Sequence, residues 1–258
     1  MGIKQVGVPI GGLIGAGCGA LAATVDWQTI MVAVSALIAV NGVLCLTLVP
    51  VSVRGQGARK NIAAVISDKN VNAFAIGAGV VNIGQTNFYG FLTLFLAEAA
   101  RLGQTTVSLA MGVAQTASFV GRLGWGAVSD KAFGGRRLVT MSVICSVAVV
   151  FLALMPFVAG PWAAILGFGL ALCLGLTIAS FAPVAQAIQV EMVAPHLAGS
   201  AVGYNMLWTH MCATLAPIAF GAAVDHLGGF ASGWWVTAVI TATGVAILVF
   251  MVKGRDPS

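Results

Sequence analysis

The chain has 258 residues, of which 59% are hydrophobic and only 7% charged. A soluble domain of that length cannot hide so much apolar surface, so lipid is the solvent for most of it. The net charge of +5 sits in short connections between apolar runs and is no nucleic-acid signature. The five cysteines lie inside those runs, which argues against a disulfide framework, and they show no metal-ligand spacing.

In chain order, apolar runs of about 20 residues predict helices near 6–25, 29–50, 71–96, 105–128, 138–158, 162–190, 197–224 and 230–252. The expected fold class is all-α, a polytopic membrane bundle of eight transmembrane helices. On the first span Gly7, Gly11, Gly15 and Gly19 form an i, i+4 stripe, which predicts close contact with a neighbouring helix. Segment 51–70 (VSVRGQGARKNIAAVISDKN) is the only long polar connection, and NIAAVISD within it predicts a short surface helix. It divides the chain into two helices in 1–50, a linker in 51–70 and six helices in 71–258.

The third span places Asn82, Gln85 and Tyr89 at i, i+3 and i+7, on one face. Glycines 77, 79, 84 and 90 would let that helix bend or break. In the fourth span Arg122 is the only charge deep within any apolar run. It lies eight residues before Asp130, about 12 Å further into the bilayer at 1.5 Å rise per residue. Gln115, Ser118, Arg122, Gly126 and Ser129 recur at helical spacing as one polar or small stripe. A guanidinium there stays charged and offers a planar donor fork suited to a carboxylate or phosphate. The plain alternative is that Arg122 snorkels to the surface or bonds backbone carbonyls.

Residues 121–137 (GRLGWGAVSDKAFGGRR) close the fourth span and open the fifth. Charges are costly in hydrocarbon and cheap at its border, so this tight charged turn marks a hairpin at the membrane surface. On the seventh span Tyr204 and Trp208 share a face, while His210 points about 120° away from Tyr204. A histidine at membrane depth can carry protons for coupled transport, or simply bond a neighbouring helix. Ser200 and His210 lie about 15 Å apart along one helix, too far for a nucleophile and its base, so an enzyme is not expected.

Basic residues mark the sides. The gaps after spans one, three, five and seven hold only Arg101. The termini and remaining gaps hold Lys4, Arg54, Arg59, Lys60, Lys69, Lys131, Arg136, Arg137, Lys253 and Arg255. That asymmetry predicts two cytoplasmic termini. Trp27, Trp162, Trp234 and Trp235 fall near the opposite ends, where an interfacial aromatic belt is expected.

Gly126-Ala-Val-Ser-Asp130-Lys131 followed by Gly135-Arg136-Arg137 resembles the charged turn of the major facilitator superfamily, with lysine for the usual arginine and a slightly longer loop. Glu191-Met-Val-Ala-Pro195-His-Leu-Ala-Gly199 looks like that family's junction before its eleventh helix. MGIKQVGVPIGG looks like the start of its fifth, and Trp27 like the aromatic after it. The resemblance implies that the eight spans are helices five to twelve of a twelve-helix, two-bundle transporter. Residues 1–50 would then be a remnant of the N-terminal bundle, and the chain a fragment, a mispredicted start or a decayed gene.

The same resemblance implies a secondary active transporter working by alternating access, needing no cofactor. Its cavity helix would be span three, with Asn82, Gln85 and Tyr89 joining Arg122, Gln115 and Tyr204 around substrate. Monocarboxylate carriers are similar in holding an arginine just ahead of the charged turn, which makes a small organic anion the expected solute. Asp130, Arg136, Arg137 and Glu191 would form a gating cluster, against the plain reading of a topological anchor. His210 would couple transport to protons. The expected setting is a multi-pass cell (inner) membrane protein in the lipid bilayer, with no nucleic-acid partner. The alternative is a non-transporting remnant or a subunit needing another chain.

Overall fold

The computed structural model describes residue 5 and residues 7–22, 24–48 and 62–253. Among these are ten α-helices and no strand: α1 (Gly7–Leu21), α2 (Trp27–Leu48), α3 (Ile62–Ser67), α4 (Lys69–Glu98), α5 (Gln104–Ala132), α6 (Arg137–Leu154), α7 (Ala163–Leu176), α8 (Ala182–Met192), α9 (Ala198–Leu227) and α10 (Phe230–Met251). Every apolar run is helical, and the protein is an all-α membrane bundle. By length and apolarity four segments can cross a bilayer: Trp27–Leu48, Arg137–Phe157, Pro195–Leu227 and Phe230–Met251. At 30 and 29 residues, α4 and α5 are long enough, but they carry the polar side chains of the interior. The short helix expected in NIAAVISD is α3. The rest of the linker and the basic residues Lys4, Arg54, Arg59, Lys60 and Arg255 lie outside the described residues.

Helix α4 is the centre of the bundle, wedged between α9 and α10. Gly77, Gly79 and Gly84 serve close approach and not bending, since α4 runs unbroken from Lys69 to Glu98. A Cβ added at Gly84 would stand 2.6 Å from Thr241 Oγ1, and one at Gly79 3.1 Å from the Trp208 carbonyl. From the other side, a Cβ at Gly244 of α10 would stand 2.8 Å from the Val81 amide nitrogen. In lipid no hydrophobic force drives helices together, so such small-residue contacts decide which faces meet.

A second seam joins α5 to α7, where a Cβ at Gly175 would lie 2.5 Å from the Ala114 carbonyl oxygen. Helix α1 lies on α5. The contact face differs from the expected stripe. Pro9 is the buried residue, a Cβ at Gly12 would overlap the Gln115 amide, and one at Gly19 would sit 3.1 Å from Ser108 Oγ. Gly7, Gly11 and Gly15 meet nothing within 4 Å. Counting glycines alone placed the seam one residue off, because Ala16 belongs to it: a Cβ added at Gly112 of α5 would lie 4.0 Å from Ala16 Cβ.

The sixth apolar run is two helices. Helix α7 ends at Leu176, Thr177 leaves helical geometry (φ −105°, ψ −91°), and α8 begins at Ala182 with Pro183 in its first turn. Ile178, Ala179 and Ser180 are fully buried in the break. Carbonyls released there need donors from neighbouring helices, the condition for irregular backbone at membrane depth.

The two ends of the bundle contrast. At one, the Asn70 side chain donates to the Lys253 carbonyl (3.0 Å) and accepts from its N–H (2.7 Å), while Arg137 pairs with Glu191. Basic loops therefore converge there. At the other, Phe95, Phe220 and Phe230 surround Trp234, with Phe95–Trp234 and Phe220–Trp234 centroids 5.6 and 5.1 Å apart. Trp27, Trp162 and Trp235 are exposed, as belt residues should be, but Trp234 is fully buried. It is a core residue, set by the aromatic cluster around it.

Candidate functional site

The buried break between α7 and α8 organises the interior. Its Ala179 carbonyl accepts three hydrogen bonds: from Gln85 Nε2 (3.1 Å), Ser118 Oγ (2.8 Å) and Arg122 Nη2 (2.9 Å). Trp125 Nε1 donates to the Leu176 carbonyl at 2.6 Å. Helices α4 and α5 are thus tied to the same unwound turn. Arg122 completes its fork by donating from Nε to Ser118 Oγ (3.1 Å) and from Nη1 to Gln5 Oε1 (3.0 Å) and the Gln5 carbonyl (3.3 Å). The side chain is 4% exposed. It does not snorkel; it bonds protein oxygens, none of them charged.

Among the described residues, that arrangement leaves a charge without a counter-charge. Every acceptor on the guanidinium is neutral, and a carboxylate would bind it more strongly than a carbonyl or amide does. The buried Tyr89 hydroxyl faces Ser118 and Arg122 but completes no hydrogen bond among the described residues. A cavity of about 150 Å³ lies beside the cluster, lined by Arg122, Gly126, Ser129, Arg137, Pro183 and Ala187 among others. It has an arginine from the interior and one from the basic turn in the same wall.

Of the six residues expected around substrate, the structure gathers three: Arg122, Gln85 and Tyr89. Asn82 donates instead to the Thr209 carbonyl of α9 (3.3 Å) and to Thr86 Oγ1 (3.4 Å). The Gln115 amide lies against Gly12 of α1, with its oxygen buried and unpartnered. The Tyr204 hydroxyl donates to Asn72 at the start of α4, among Val65, Val71 and Ala201 at the basic end. His210 is exposed on α9, and no hydrogen bond joins its ring to the Arg122 cluster among the described residues.

The charged turn is built by two consecutive left-handed glycines, Gly134 (φ 58°) and Gly135 (φ 77°). The Phe133 and Gly135 N–H groups both donate to the Ser129 carbonyl, and Thr140 Oγ1 donates to Ser129 Oγ at 3.1 Å. The turn delivers Arg137 to Glu191 at the end of α8, the one ion pair among the described residues. Asp130 and Arg136 are exposed and outside that pair.

Sequence reasoning missed Gln5, Trp125, Ser180 and the Ala179 carbonyl. Pro183 was the available signal: a proline inside an apolar run releases backbone groups of the preceding turn. Asn87 was also missed, although it is 1% exposed and donates to Thr237 Oγ1 at 2.9 Å, linking α4 to α10.

No curated protein matches the chain. The family model described as Major Facilitator Superfamily matches it twice, over residues 1–168 and 74–258, which together take in the whole sequence. The two matches overlap over 74–168, as a fold made of related halves allows. With helices throughout, a glycine-built charged turn and a broken sixth span, the chain belongs to the major facilitator superfamily, whose members are membrane transporters.

Proposed function

We propose that this chain is a secondary active transporter of a small organic anion, working by alternating access with Arg122 as the anion's counter-charge. The observation that carries the reading is the buried guanidinium satisfied only by neutral oxygens, beside a cavity it shares with Arg137. A carboxylate entering there would replace Gln5 on Nη1 and accept from the idle Tyr89 hydroxyl. Gln5 precedes α1 and Arg122 belongs to α5, so that exchange would release a contact between the 1–50 and 71–258 segments, read here as parts of two bundles.

The basic end is assigned to the cytoplasm of the cell membrane, on the distribution of Lys and Arg. The Arg137–Glu191 pair, with Asp130 and Arg136 beside it in the turn, is the candidate gate on that side. His210 stays the candidate for proton coupling, acting from the exposed face of α9 and not from the Arg122 cluster.

The test is uptake of radiolabelled monocarboxylates into proteoliposomes holding equal amounts of wild type and Arg122→Lys. Lysine keeps the charge but loses the fork, so uptake should fall by roughly tenfold or more with folding unchanged. Equal loss of uptake and of folded protein would identify a structural arginine and defeat the assignment.

A second reading has one observation in its favour. Helix α2 has no buried residue, so a strongly apolar helix lacks a packing partner within the described chain. A subunit completed by another chain would cover it. Native mass spectrometry of the detergent-purified protein separates the two: a single chain that transports supports the first, and an obligate complex the second.

A further inference from the structure

We infer that the basic end carries a specific site for one anionic phospholipid, with its headgroup between α6, α8 and α10 and an acyl chain along the α6–α10 groove. Two neighbouring cavities carry the inference. The first, about 310 Å³, is lined by Arg136, Arg137 and Lys253 against the single carboxylate of Glu191. The second, about 390 Å³, is lined by Leu138, Val139, Val143, Val147, Leu248 and Val249. Leu138 and Val139 belong to both walls, so a charged pocket continues into an apolar trough on the outer surface of the bundle.

The charge balance asks for an anion. Arg136 and Arg137 stand at the N-cap and first position of α6, where the helix dipole is positive and no side chain caps it. Glu191 pairs with Arg137. Lys253 is held at the pocket by its backbone, whose N–H and C=O both bond the Asn70 side chain. Three cations and a helix N-terminus thus share one carboxylate, and a phosphodiester would complete the set through the arginine forks. A free phosphate would use only the pocket. The apolar trough, opening toward hydrocarbon from the same wall, selects a molecule with a phosphate at one end and an alkyl chain at the other.

The pocket shares Arg137 with the wall of the Arg122 cavity but does not rest on the transport reading. Its test is native mass spectrometry of the whole chain, titrated with phosphatidylglycerol and with phosphatidylcholine of the same acyl chains. Wild type should retain phosphatidylglycerol preferentially. The double variant Arg136→Gln, Lys253→Gln, altered only at exposed side chains, should weaken phosphatidylglycerol binding roughly thirtyfold and leave phosphatidylcholine unchanged. Val143→Trp, which fills the trough from a lipid-facing position, should weaken both lipids. Equal retention of the two lipids by wild type, an unaltered double variant, or displacement of phosphatidylglycerol by inorganic phosphate would each overturn the site.

Discussion

Helices α2 and α10 are both 22 residues long and both apolar enough to span a bilayer, yet their fates differ. Helix α10 buries Gly233, Thr237, Thr241, Gly244 and Leu248 in one stripe against α4 and its neighbours, whereas α2 buries nothing. Composition does not explain this, because α2 also has a small-residue stripe in Ser35, Ala39 and Gly42. The difference is the partner. Helix α4 presents Gly77, Val81 and Gly84 in register with Gly244 and Thr241, and nothing within 4 Å faces Gly42. Apolarity makes a helix compatible with lipid, and a complementary face makes it part of a bundle.

The sharpest way to break that comparison is one substitution in each helix. Gly244→Leu must displace backbone atoms of α4 and should cost about 3 kcal/mol, while Gly42→Leu should change stability by less than about 0.5 kcal/mol. Denaturant titration in detergent reads both, and similar costs would mean that α2 has a packed face. A finer contrast lies within α1. Gly12→Leu pushes only a movable Gln115 amide and should cost about 1 kcal/mol, whereas Gly11→Leu should be near neutral since nothing lies within 4 Å of it. The reverse order would restore the glycine stripe as the seam.

The smallest effect concerns how α2 begins. Asp26 accepts from the Thr29 N–H (2.9 Å) and hydroxyl (3.0 Å), and these bonds hold its carboxyl below the ordinary 3.8. A lowered folded value means that the cap contributes above the ordinary carboxylate range. Its contribution is lost as pH falls through the lower, folded value. Helicity should therefore drop slightly as pH falls below the ordinary 3.8 in wild type and less in Asp26→Asn, as circular dichroism would show. Identical acid profiles would remove the cap from the account.

The comparison also marks what the sequence could express. The eight apolar runs and the 121–137 hairpin were legible, because lipid imposes length on the former and two glycines with flanking charges punctuate the latter. The break in the sixth run had one signal, Pro183, because Thr177, Ile178, Ala179 and Ser180 are residue types that intact membrane helices also hold. The partners of Arg122 were hidden for a different reason. Gln5 lies 117 residues away, and the Ala179 acceptor is a backbone carbonyl that no residue type announces. Tyr204 shared a face with Trp208 on paper, but depth along α9, which periodicity does not encode, placed it at the basic end.

Anion binding at the buried Arg122 is what the proposed function requires. Thermal unfolding of the detergent-solubilised protein, with lactate and with the uncharged lactamide, tests it most directly. The account predicts that lactate raises the unfolding temperature, that lactamide does not, and that Arg122→Lys abolishes the difference. Equal responses to acid and amide, or a lactate shift that persists in Arg122→Lys, would contradict it.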